Sequence, residues 1–217
     1  SVENDLAPYG VRVVYLERPE KILPYTMAMI GGDWTDTNID SPAGGVAPTA
    51  DCGALNQRHV VYVFSDGAGS ASLLANTTSQ EAGHAWGLDH TLNCNSVMSY
   101  CGGFADGVFS TACDTLCEEQ CQGANTIGCR LQHEMFCGED SEQQNDGAEL
   151  EFLFGTDQPD IEPPVAEIVS PEDGAMIEAG ADVEMRAIVS DDYGGMGWKT
   201  TITKDGETLL DEVDYFK

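Results

Sequence analysis

Three β-rich runs lie in the first third of the chain. Val11–Leu16 is dense in valine, Tyr25–Ile30 alternates before a Gly31-Gly32 break, and His59–Phe64 reads as a strand buried on both faces or nearly so. Ala71 to Leu88 contains few breakers and predicts a long helix, with Gly87 as its natural stop. Residues 91–125 read as loop. From Thr126 to Phe136, the apolar residues Ile127, Leu131 and Met135 recur every four positions and predict a last helix.

The texture then changes. Gly155-Thr-Asp-Gln-Pro-Asp-Ile-Glu-Pro-Pro164 is acidic and proline-rich, with the character of a linker. Beyond it, Val165–Val169, Val183–Val189 and Trp198–Thr203 are short β-rich runs. They are separated by turn-forming stretches such as Pro171-Glu-Asp-Gly and Lys204-Asp-Gly, an all-β pattern. The expected organisation is an α+β domain over residues 1–155, a linker over 156–164 and a β-segment over 165–217.

Charge divides the chain in the same place. Acidic residues number 38 against 9 basic, for a net charge of −29. Residues 1–140 carry −13, and residues 141–217 carry −16 in about half the length. Such a chain repels nucleic acid and anionic lipid, so neither is an expected partner. It contains no apolar run of the roughly 18–20 residues that a membrane span needs, so no membrane insertion is expected. The opening residues, SVENDLAPYG, do not read as a signal peptide; any such segment is expected to have been removed. Acidity on this scale suits a salty habitat or calcium, a secondary cofactor candidate.

Eight cysteines, all between Cys52 and Cys137, predict four disulfides and a secreted, extracellular protein. Cys113, Cys117 and Cys121 repeat at a spacing that could mimic metal ligands on a helix, but in a secreted chain disulfides are the better reading. His59, before a strand, and His133, on the last helix, read as ordinary surface or edge residues.

The chemistry concentrates in Gln80-Glu-Ala-Gly-His-Ala-Trp-Gly-Leu-Asp-His90. On a helix, Gln80 and His84 are one turn apart and share a face. Gly87 allows the left-handed residue that ends the helix, so that His90 can swing back beside His84. Glu81 sits at the edge of the same site, suited to act as a base without ligating. Gln80 also reads as a plain polar helix residue, and Asp89 is an alternative acidic ligand.

Glu81-x-x-His84-x-x-Gly87-x-x-His90 resembles the metzincin metallopeptidase signature H-E-x-x-H-x-x-G-x-x-H, with Gln80 in place of its first histidine. Ser96-Val-Met-Ser-Tyr100 is similar to the metzincin Met-turn, in the form seen in astacins and serralysins. The resemblance covers about residues 1–155. It implies a twisted sheet, a long active-site helix, the Met-turn and a C-terminal helix. It also implies that Glu3–Gly10 is the end of an opening helix. By the same resemblance, Met98 is a floor beneath the metal, and Tyr100 either packs or contacts the metal or the transition state. Cys94 and Cys101 bracket the turn and would brace it if paired. Residues 163–174 and 183–192 resemble the opening of bacterial immunoglobulin-like repeats. Those need about seven strands and ~100 residues, so this segment would be a partial module.

The metzincin resemblance implies a secreted, monomeric zinc endopeptidase that hydrolyses protein or peptide substrates through a metal-activated water. Gln80, His84 and His90 would hold the zinc, Glu81 would be the general base, and Tyr100 would steady the oxyanion. The peptide would lie along an edge strand near His59–Phe64. Glutamine is neutral and a weaker zinc donor than imidazole. The alternative is therefore a catalytically inactive binding or adhesion module that keeps only the groove.

Overall fold

The structure, a computed structural model, describes residues 1–15, 24–40, 42–56, 58–99, 101, 107–117, 121, 128–156, 165–178, 180–181, 183, 185–190 and 196–216. It is a mixed α+β chain with four helices and several small sheets among the described residues. No described helix is long and apolar enough to cross a membrane.

Helix α1 (Val2–Leu6) is capped by Ser1 and ends at Ala7, short of Gly10. The main sheet has the order β1-β3-β2, formed by Tyr25–Ile30, Arg58–Val63 and Gly45–Val46. Strands β1 and β3 run parallel, whereas β2 runs antiparallel to β3 at the opposite edge. The central strand buries every second residue, His59, Val61 and Val63, and presents Arg58, Val60 and Tyr62 on its other face. That period-2 pattern places the core on one side, where the long helix α2 (Ala71–Ala85) lies. Ser70 caps α2 by accepting from Leu73 N at 3.1 Å. A buried cluster that includes Leu6, Tyr9, Val61, Trp86, Leu88, Met98, Phe109 and Leu150 joins α1, the sheet, α2 and the segments that follow.

Strands β4 (Asp114–Thr115) and β5 (Gln143–Gln144) form a two-residue ladder. Helices α3 (Arg130–Cys137) and α4 (Asp146–Phe154) flank β5. In the tail, β6 (Val165–Ser170) pairs with β7 (Arg186–Ser190), and β8 (Met196–Lys204) pairs with β9 (Glu207–Phe216). Asp205 and Gly206, both at positive φ, close the second hairpin, as a two-residue turn of this kind requires.

Several expectations about the elements need correction. Val11 to Tyr15 is not a strand: Val11 and Val13 pack on the core, but no described strand pairs with this backbone. Leu16 lies outside the described residues. Strand β3 is central, so the sheet edge beside α2 belongs to Gly45–Val46 rather than to His59–Phe64. The apolar stripe of α3 faces solvent, with Leu131 81% and Met135 62% exposed, because the buried face carries Gln132 and His133 with their own partners. Ile127 lies outside the described residues, and α4 follows α3, so α3 is not the last helix. In the tail, Val183 and Met185 precede the strand, which begins at Arg186.

Candidate metal centre

The end of α2 sets the geometry. Leu88 N donates to Gly83 O (2.9 Å) and Gly87 N to His84 O (3.1 Å), a Schellman closure with Gly87 at φ +100°. A side chain at Gly87 would also meet the Cys129 sulfur at 3.0 Å and Cys52 Cα at 3.2 Å, so the helix end rests on the Cys52–Cys129 disulfide. The closure turns the Leu88 carbonyl back onto the ring of His84, whose Nδ1 donates to it at 2.7 Å. With its proton at Nδ1, His84 presents a lone pair at Nε2.

That lone pair faces His90. The two Nε2 atoms are 3.0 Å apart, with the rings edge to face. Burial holds the His84 ring below its ordinary pKa. It pushes His90 down to about 3, with His84 as the next cause. Both imidazoles are therefore neutral, the state in which histidine ligates metal. Both nitrogens can reach one zinc ion at the usual ~2.0–2.1 Å, and the backbone bond at the far nitrogen of His84 is the kind that fixes ligating histidines. Among the described residues, no group of three or more His, Cys, Asp or Glu side chains converges as a metal cluster.

Met98 is fully buried against this end of α2. A methyl group on Gly83 would strike its sulfur at 2.7 Å, so the glycine lets the turn pack directly on α2. Gln80 Nε2 donates to Val97 O at 2.8 Å and to Ser99 O at 2.9 Å, fastening the helix to the backbone on both sides of Met98. These bonds use both amide protons and leave Oε1 as the group's acceptor. The Cys94–Cys101 disulfide closes the same turn. Tyr100 lies outside the described residues.

Glu81 is buried against the edge strand. A methyl group on Gly45 would lie 2.6 Å from its Cγ and 2.8 Å from Oε1. Burial pushes its carboxyl up to about 8, opposed by a backbone hydrogen bond from Ala47. A cation beside it would pull this value down.

Sequence reasoning missed the support behind His90. Gln144 brackets the Asp89 peptide, accepting from its N–H (2.7 Å) and donating to its carbonyl (3.0 Å). Gln144 also donates to Asp146, which accepts from Ser96 Oγ at 2.6 Å and Ser110 N at 3.1 Å. Asp89, the alternative acidic ligand, takes part here: its Oδ2 accepts from Gly128 N and lies 3.4 Å from His133 Nε2. His133 is not a surface residue. It is buried, and its Nδ1 lies 3.0 Å from both carboxylate oxygens of Glu149. Burial alone would lower its pKa, but bonds to Asp89 and Glu149 outweigh that and raise it to about 9. His59 is buried too. Asp51 Oδ2 lies 3.3 Å from its Nε2, close enough for ion pairing but not aligned as a hydrogen bond.

The remaining cysteines pair as Cys113–Cys137 and Cys117–Cys121, so none of the eight is free to ligate. Compared with known proteins, the chain matches no family model, no curated protein and no solved structure.

Proposed function

We propose that this chain is a secreted zinc-dependent endopeptidase of metzincin type, with a partial immunoglobulin-like segment at residues 165–217. The observation that carries this reading is the pairing of His84 Nε2 and His90 Nε2 at 3.0 Å, with Met98 buried against Gly83 and Glu81 one residue from Gln80. His84 and His90 would hold the metal and Gln80 would offer Oε1. Bound zinc would supply Lewis acidity toward a peptide carbonyl. The residues of the chain do the rest. Glu81 would accept a proton from the attacking water and return it to the leaving amine, once a neighbouring cation draws its carboxyl, raised by burial to about 8, back into the ionised form. Gly45–Ala47, lying over Glu81, offers an edge along which an extended peptide can pair. Four disulfides suit an oxidising, extracellular setting.

One observation favours the rival reading, a catalytically inactive binding or adhesion module. Gln80 already serves as a latch between α2 and the Met98 turn, a role that needs no metal. Zinc content of protein purified without added metal, together with casein digestion by wild type and Glu81→Gln, separates the two. The peptidase reading expects about one zinc per chain, digestion by wild type and none by the variant. A zinc-free wild type, or equal digestion by both proteins, would sink it.

A further inference from the structure

We propose that His133 is a positioning residue for this centre: clamped by Glu149, it holds Asp89, and through Asp89 it fixes the ring of His90 opposite His84. The inference rests on the metallopeptidase reading and extends it to residues more than 40 positions away in sequence.

The backbone around His90 is gripped at every described point. Gln144 takes both polar groups of Asp89, Cys117 N donates to His90 O at 2.8 Å, and Thr91 N donates to Met98 O at 2.9 Å. These bonds place the backbone, and the Asp89 carboxylate adds a side-chain anchor to the same Asp89–His90 unit. The described contacts of that carboxylate include the Gly128 amide at 3.3 Å and the His133 ring at 3.4 Å. His133 cannot drift, because Glu149 is fully buried and is itself held by Gln132 Nε2 at 2.8 Å. Gln132 in turn accepts from Gly53 N, beside the Cys52–Cys129 disulfide that supports the end of α2. The two ligating rings, one from α2 and one from the loop, are thus referred to the same buried frame.

Supporting groups of this kind typically govern metal affinity by 10- to 100-fold. In the full chain, His133→Phe should weaken zinc by about that factor in chelator competition, measured on protein shown to be folded by circular dichroism. His133→Gln, which keeps a donor toward Asp89, should restore most of the affinity. In a His90→Ala background, His133→Phe should change zinc affinity less than about 2-fold, because the route through His90 is gone. Unchanged affinity in folded His133→Phe, or an equal loss in the His90→Ala background, overturns the proposal. Should His133→Phe fail to fold, Asp89→Asn serves: zinc should weaken several-fold and the His90 imidazole nitrogen resonances of zinc-free protein should shift. No change in either overturns the proposal. Should wild type take up no zinc, the metallopeptidase reading falls, and the zinc-free resonances of these variants still decide whether His133 positions His90.

Discussion

A carboxamide at position 80 has two donors to spend where an imidazole has at most one that is free of a metal, and both go to Val97 O and Ser99 O. Gln80→His should therefore tighten zinc, by about 10-fold or more, while loosening the turn that carries Met98. Chelator competition and urea unfolding of the zinc-free variant read the two effects separately. Titration adds a second expectation. Glu81, Asp146 and His133 all have folded-state pKa values raised above their ordinary ones, to about 8, 6 and 9. At these three groups the folded chain binds more protons than the unfolded chain, whereas the lowered imidazoles of His84 and His90 work the other way below about pH 6.5. Each contribution of the three raised groups to stability is complete below the ordinary value and is lost as pH rises through the raised one. With chelator present, the urea midpoint should be lower at pH 9 than at pH 7, a range in which His84 and His90 are neutral in both states. Glu81→Gln should flatten the decline between about pH 7 and 8, where one full proton corresponds to about 1.4 kcal/mol per pH unit.

At the scale of elements, α2 and its glycine stop are legible in the sequence because a run with few breakers and a left-handed glycine are both local signals. The pairing of His84 with His90 follows from the same eleven residues. Helix α4 and strand β5 are not legible. Gln144, Asp146 and Glu149 sit in an acidic stretch that reads as solvated surface, and only distant partners, Asp89, Ser96 and His133, make their burial tolerable. For the same reason the apolar spacing of α3 points to the wrong buried face. Two-residue strands such as β2 and β4 leave no periodic trace. The Cys52–Cys129 disulfide joins the β3 approach to the start of α3 across 77 residues. Replacing both cysteines by serine should cost about 4 kcal/mol on the chain-entropy scale, measured by urea unfolding. The loss should exceed that for Cys94–Cys101, which spans 7 residues.

For the whole molecule, a net charge of −29 makes compaction work against self-repulsion. Raising sodium chloride from about 10 to 500 mM shortens the screening length severalfold and should raise the unfolding midpoint; a midpoint that falls would place the repulsion elsewhere. The grip on His90 has its own consequence for motion. The N–H groups of Asp89 and Thr91 point at Gln144 Oε1 and Met98 O, and the His90 carbonyl is taken by Cys117. A loop usually trades its amide hydrogens with water through small openings, but here Asp89 must first release the Gln144 bracket, and Thr91 must pull away from the buried Met98 turn. Deuterium should therefore enter these two amides only as fast as it enters the central strand, making this loop part of the last unit to open.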